Sequence, residues 1–342
     1  MAVRAFITGL AGLTLTPAER AFLRDTKPWG AILFKRNIES PAQVSALAAD
    51  CRDILGRDIP VFVDQEGGRV QRLGPPHWQV YPPAQAYGEI YRRDRALGLR
   101  AAALGARLIA SDLRAIGIDT DCLPVADVPV AGSDRVIGDR AYGDEPDMVA
   151  SLAGAAAEGL LDGGVLPVVK HIPGHGRATA DSHLALPVVS AERATLETSD
   201  FAAFRPLARF PMAMTAHVVF SAIDPVAPAT TSAIMVGDVI RRSIGFQGLL
   251  MSDDLSMKAL SGTLTERARA SIAAGCDVVL HCNGDLGEMQ EVASATPMLS
   301  GEAARRADAA LAMRKAPSAF DSAAARAEFA DLMAAGQGRL VS

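Results

Sequence analysis

The chain has 342 residues, 49% of them hydrophobic and 21% charged, which is enough apolar material for two ordinary domains or one large barrel. A formal net charge of −5 gives no electrostatic case for nucleic acid or an anionic membrane surface as the main partner. Cys51, Cys122, Cys276 and Cys282 are scattered and form no CxxC pair, which favours a reduced, cytoplasmic protein over a disulfide scaffold.

Short apolar runs alternate with helical patterns along the chain. Ala5–Thr8 is the first strand candidate. Thr16, Pro17 and Glu19 follow it as a capped helix start, so the N-terminal apolar stretch reads as a strand and not as a signal peptide. Further strands are expected at Ala31–Phe34, Pro60–Val63, Ile118–Cys122, Leu166–Val169, Met212–Thr215, Leu249–Ser252 and Val278–Leu280. Helices are expected at Pro17–Arg24, Pro41–Leu55, Asp94–Ala115, Asp147–Leu161, Phe201–Leu207, Ala233–Arg241, Thr265–Ala274 and Leu286–Ala293. Eight strand–helix units imply a parallel sheet, and that number fits a single (β/α)8 barrel better than an open doubly wound sheet. The strands are apolar throughout, as strands covered on both faces should be. One catalytic domain spanning residues 1–342 is expected, with residues 300–342 as a peripheral helical tail. No apolar run is long enough to cross a bilayer.

The strand-to-helix connections at 64–93, 123–146, 170–200 and 216–232 are long, whereas helix-to-strand links such as 56–59 are short. In a barrel the long set lies at the C-terminal face, where active sites are built. The third strand exit, Asp64 to Arg72, carries two carboxylates and two arginines around Gly67-Gly68. Asp64, the first residue past the strand, is the best placed to point inward and could accept two hydroxyl hydrogen bonds from a sugar. An internal salt-bridge network reads the same residues as well. The fourth exit carries Asp121, Asp127 and Arg140. The fifth, Lys170–His183 (KHIPGHGRATADSH), holds three histidines in a glycine-rich loop. Their spacing matches no standard zinc signature, so no metal and no other cofactor is expected. Asp181 and His183 are two apart and share a face in extended backbone. A carboxylate on one imidazole nitrogen would fix the tautomer and suit a general acid/base. His217 at the sixth exit is equally a pocket or a packing residue, and His281 and Asn283 at the eighth are candidates for the rim. At the seventh exit Asp253 and Asp254 are adjacent, and alternation allows only one of them to enter the barrel centre; periodicity does not say which.

The runs DQEGGRVQRL from Asp64, GDRAYG from Gly138, KHIPGHGRATADSH from Lys170, TAHV from Thr215 and SDDLSMKAL from Ser252 occur in an order that resembles the family 3 glycoside hydrolases. Within that family the chain is similar to the short, single-domain bacterial β-N-acetylglucosaminidases of peptidoglycan recycling. The resemblance implies an exo-acting enzyme that hydrolyses terminal N-acetylglucosamine from muropeptide fragments with retention. It implies Asp253 as nucleophile, His183 as acid/base and Asp181 as its partner. Asp64, Arg72, Arg140, Lys170 and His171 would hold the sugar. The implied partner is a small glycan, with no nucleic acid or membrane, and the protein is expected to be a monomer. A β-glucosidase or β-xylosidase of the same family and a metal-dependent barrel hydrolase are the rival readings.

Overall fold

The structure is a computed structural model and describes residues 3–182 and 184–336. Eight parallel strands close into a barrel: β1 (Arg4–Gly9), β2 (Pro28–Leu33), β3 (Val61–Val63), β4 (Thr120–Asp121), β5 (Leu166–Ile172), β6 (Met212–Thr215), β7 (Leu249–Asp254) and β8 (Val278–His281). Each expected strand is present, and β8 pairs with β1 to complete the ring. Side chains alternate across the sheet. Ile7, Phe62, Cys122, Leu166, Val168, Met212, Met214, Leu249, Met251, Val278 and Leu280 form one buried cluster inside the barrel. The opposite set, such as Phe6, Val61, Val63, Val169, Ala213, Leu250 and Val279, packs outward against the helices.

That alternation sets up the mouth. Continuing the inward register two residues past Phe62, Val168 and Met251 leads to Asp64, Lys170 and Asp253. β3 and β7 lie four strands apart in an eight-stranded ring, so Asp64 and Asp253 face each other across it.

The helices start where the sequence carries caps. In α1 (Pro17–Thr26) Thr16 accepts from the backbone of Glu19, and Glu19 reaches back to Thr16, closing a capping box. Ser40 caps α2 (Pro41–Leu55) in the same position. Three expectations change. The long connection after β3 contains a helix, α3 (Ala84–Arg93), which packs against α4 (Arg95–Arg114) and α5 (Pro146–Asp162). The expected helix at 201–207 is a short α-helix, Asp200–Phe204, followed by a 3-10 turn, Arg205–Leu207; Pro206 removes a backbone donor there. The segment Met235–Ser243 is a π-helix.

Two later helices form the tail. After Leu264–Ala274 and Leu286–Ala295, the helix Gly301–Ala312 contributes Ala307 and Ala310 to the interior cluster, at the end from which the strands start. The helix Ser322–Gly336 packs on α3 and α4. Two buried aspartates tie this layer to the barrel. Asp119, just before β4, accepts from the Val61 amide and pairs with Arg52 and Arg314. Asp277, just before β8, accepts from the Leu250 amide and pairs with Arg241 and Arg306. Among the described residues no helix is long and apolar enough to cross a membrane.

Candidate active site

A cavity of about 470 Å³ opens at the C-terminal face. Its wall includes Asp64, Arg72, Arg140, Lys170, His171, Asp181 and Asp253, so seven of the eight residues expected from the sequence come together. The eighth, His183, lies outside the described residues. Among the described residues no group of three or more His, Cys, Asp or Glu side chains is placed to hold a metal ion.

One side of the cavity is a charge cluster. Lys170 donates to Asp64 at 2.8 Å and pairs with Glu66 at 2.7 Å. Arg72 donates to the other oxygen of Asp64 at 2.9 Å, and its guanidinium lies over the Phe34 ring. Arg140 holds Glu66 with two bonds of 2.8 Å each, the fork-on-carboxylate geometry that only arginine supplies. Burial disfavours charge on all of these groups, yet the partners outweigh it. Desolvation pushes Asp64 and Glu66 up, but Lys170 and Arg72 on the first and Arg140 and Lys170 on the second hold both well below the usual carboxylate range. Burial pulls Lys170 down, but the two carboxylates raise it well above an ordinary lysine. The internal salt-bridge reading and the ligand-binding reading of this exit are therefore both true. The ion pairs fix the side chains, and the fixed side chains line a cavity.

Glu66 was not singled out by the sequence. It reaches the cavity because Gln65–Gly67 turns back against Val70–Gln71 as a small antiparallel pair. Gly67 makes that turn with φ of 94°, and a Cβ there would sit 2.3 Å from the Pro82 carbonyl oxygen. Gln65 pins the turn. Its amide donates to the buried Asp121 at 3.0 Å, and its side-chain oxygen accepts from the amides of Arg72 and Leu73.

Asp127 is the second residue that the sequence left without a role. It is fully buried, and its carboxylate accepts from the His171 ring at Nδ1, 2.7 Å away, and from the His175 amide at 2.6 Å. Burial pushes Asp127 up, but His171 holds it below its ordinary value. A carboxylate on Nδ1 makes that nitrogen the protonated one and leaves Nε2 of His171 for the cavity. The signal was present as a carboxylate in the fourth exit, but its pairing partner lies in the fifth.

The adjacent aspartates at the end of β7 differ in what they contact. Asp254 spends its carboxylate on Ser256 and on the Cys282 amide. Asp253 accepts only from the amide of Asp254, at 2.8 Å, among the bonds found within the described residues. Burial pushes Asp253 up, but His217 and then His171 hold it below the ordinary value, so it stays ionised. His217 is buried and outside the cavity wall. Its Nε2 meets the Asp254 carbonyl oxygen at 3.0 Å and so must donate, which leaves Nδ1 to accept from the Thr230 hydroxyl at 2.7 Å. His217 thus braces the backbone at Asp253 without lining the cavity. Asn283 does reach the rim, whereas His281 points outward from the barrel into the helix layer and meets Glu288.

An eight-stranded parallel barrel whose mouth sets an ionised aspartate across from a fixed carboxylate–cation cluster is the framework of a barrel glycosidase. The profile described as "Glycosyl hydrolase family 3 N terminal domain" matches residues 10–312, and the chain belongs to that family. It is 42% identical over 287 residues to a β-hexosaminidase of Alkalilimnicola ehrlichii, covering 83% of this chain and 82% of that protein. It is 41% identical over 278 residues to a β-hexosaminidase of Nitrosomonas eutropha, covering 80% and 79%. It superposes on NagZ from Neisseria gonorrhoeae, solved in complex with N-trifluoroacetyl-D-glucosamine, with a TM-score of 0.85 and 34% identity, over 99% of this chain and 98% of that one.

Proposed function

We propose that the chain is an exo-acting, retaining β-N-acetylglucosaminidase that removes terminal β-linked N-acetylglucosamine from muropeptide fragments in the cytoplasm. The hexosaminidase activity rests on family 3 membership and on relatives named for it over four-fifths of the chain. The muropeptide substrate and the compartment rest on the likeness to NagZ and on four free cysteines.

One observation carries the mechanism: Asp253 is held ionised at the cavity wall, across the barrel from the charge cluster. A sugar held by Asp64, Arg72, Arg140, Lys170 and His171 presents its anomeric carbon to Asp253. Asp64 and Arg140 meet hydroxyl and amide groups with atoms already fixed by their ion pairs, so little side-chain order is lost on binding. Asp253 attacks, the bond to the leaving oxygen breaks, and His183 supplies the proton, with Asp181 as its partner. Water then attacks the anomeric carbon, the bond to Asp253 breaks, and His183 takes a proton from the water.

The test is hydrolysis of nitrophenyl β-N-acetylglucosaminide beside the matching glucoside and xyloside. Wild type should prefer the N-acetyl substrate. Asp253→Asn should lower turnover on the order of 10⁴-fold while keeping the unfolding transition, as expected for a member of a catalytic unit. An Asp253→Asn protein with normal activity refutes the assignment. A preference for the glucoside or xyloside would reassign the substrate within the family.

A further inference from the structure

The loop after β5 is held down at several points, Arg177 on Asp200 and the Ala178 carbonyl oxygen on the Asp134 amide among them. His175 is buried, with its amide on Asp127 at 2.6 Å and its ring edge-on to His171 at 5.8 Å between centroids. Nε2 of the His175 ring meets the Ser182 hydroxyl oxygen at 3.1 Å. Ser182 is buried too, and its carbonyl oxygen accepts from the Ala259 amide at 3.1 Å. Both His175 and Ser182 lie on the cavity wall. Beyond them the loop is anchored again where Val188–Val189 pairs with Val219–Phe220. Ser182 is the residue between Asp181 and His183 in the chain.

We propose that the His175–Ser182 hydrogen bond makes these two side chains positioning residues for the acid/base step: it fixes the backbone between Asp181 and His183 relative to the bound sugar. The proposal rests on the acid/base assignment made above. Three bonds connect the elements in series. His171 contacts Asp127, Asp127 holds the His175 amide, and the His175 ring holds Ser182. The residue expected to touch the sugar and the segment expected to deliver the proton are thus referenced to one carboxylate. Six residues separate His175 from Ser182, and among the described residues no regular element spans them. The Asp134 amide holds the Ala178 carbonyl oxygen and Arg177 pairs with Asp200, while at the catalytic end the Ala259 amide holds the Ser182 backbone and the His175 ring adds a side-chain hold from within the loop. Nδ1 of His175 is buried and has no partner among the described residues. A buried N–H without a partner is rarer than a buried acceptor without one, which places the proton on Nε2, donating to Ser182. The serine hydroxyl hydrogen is then free to turn toward the cavity.

The step served is proton donation to the leaving oxygen as its bond to the anomeric carbon breaks. A leaving group that is already a weak base needs little of that proton, whereas an alkoxide needs all of it. The experiment compares kcat/KM for 2,4-dinitrophenyl and propyl β-N-acetylglucosaminides across Ser182→Ala, His175→Leu, His175→Gln and His183→Ala. Ser182→Ala and His175→Leu should lose at least about tenfold more on the propyl glycoside than on the dinitrophenyl one, part of the 10²–10⁴-fold that a general acid contributes. His175→Gln, whose amide nitrogen can reach the serine, should recover most of the difference. An equal fall on both substrates would mark a merely structural role and overturn the proposal, and so would no fall on either. If His175→Leu does not fold, Ser182→Ala decides alone. His183→Ala separates the two levels. If it shows no leaving-group dependence, the acid/base reading itself is wrong and the proposal falls with it; if it shows the dependence and Ser182→Ala does not, only the positioning role is wrong.

Discussion

Lys170→Met tests the charge cluster most directly. The Lys170 side chain is 3% exposed, and its ammonium lies between Asp64 at 2.8 Å and Glu66 at 2.7 Å. Methionine matches its length but leaves two buried carboxylates facing each other. Removing one partner of a buried pair costs roughly 3–5 kcal/mol because the remaining charge is uncompensated. Here Arg72 and Arg140 keep one carboxylate each. The low end, about 3 kcal/mol at pH 7, is therefore expected, a sizeable part of an ordinary folding free energy. Urea unfolding followed by circular dichroism should show a lower midpoint with an unchanged slope. The pH dependence gives a second check. In wild type, burial raises Asp64 and Glu66, but their cations depress them below the unfolded value of about 4. Their contribution is thus present above that value and lost as pH falls through the folded pKa. In the variant both pKa values move up, so the folded state takes up protons earlier and loses less stability on acidification. The gap between wild type and variant should narrow as pH falls below about 5, where unfolded carboxylates begin to take up protons. A destabilisation below about 1 kcal/mol, or a gap that widens on acidification, would refute the reasoning.

Arg140→Lys removes the two-pronged hold on Glu66 while keeping the charge; kcat/KM on the nitrophenyl N-acetylglucosaminide should fall about 10–100-fold, and unchanged kinetics would mean the fork does not matter. Exhaustive chelation should leave activity intact, and a loss restored by a divalent metal would revive the metal-dependent reading. Thr16→Ala removes one side of the α1 capping box and should cost about 1 kcal/mol in urea unfolding with no change in KM.

The barrel was readable in the sequence because both faces of its strands are covered, so each strand appears as an apolar run bounded by turn residues. α3 was hidden because Pro82-Pro83 and the Gly67-Gly68 turn make the whole segment after β3 look like loop. Its helical character is revealed by packing, such as Gly88 against the Tyr142 carbonyl. At the site, sequence reading pointed to Asp64 by its place at a strand exit and to Lys170 and Asp253 only through the family resemblance. It missed Glu66 and Asp127 for a common reason. Each acts through a partner more than 40 residues away in the chain, Arg140 for one and His171 for the other. Local spacing contains no trace of such pairs. The choice between Asp253 and Asp254, open by periodicity, is favoured toward Asp253 by what surrounds Asp254, namely Ser256 and the Cys282 amide.

The helix Gly301–Ala312 has a consequence for synthesis. It supplies Ala307 and Ala310 to the interior, and Arg306 and Arg314 reach the buried Asp277 and Asp119. A ribosome that has made all eight strands has therefore not yet made the floor of the barrel or two of the cations its buried aspartates require. Until residue 314 has cleared the exit tunnel, the nascent chain keeps an open, apolar underside. The active-site loops and the strands they project from are both made before that floor. The emergence of residues 301–314 thus sets the time at which the site can first take its shape.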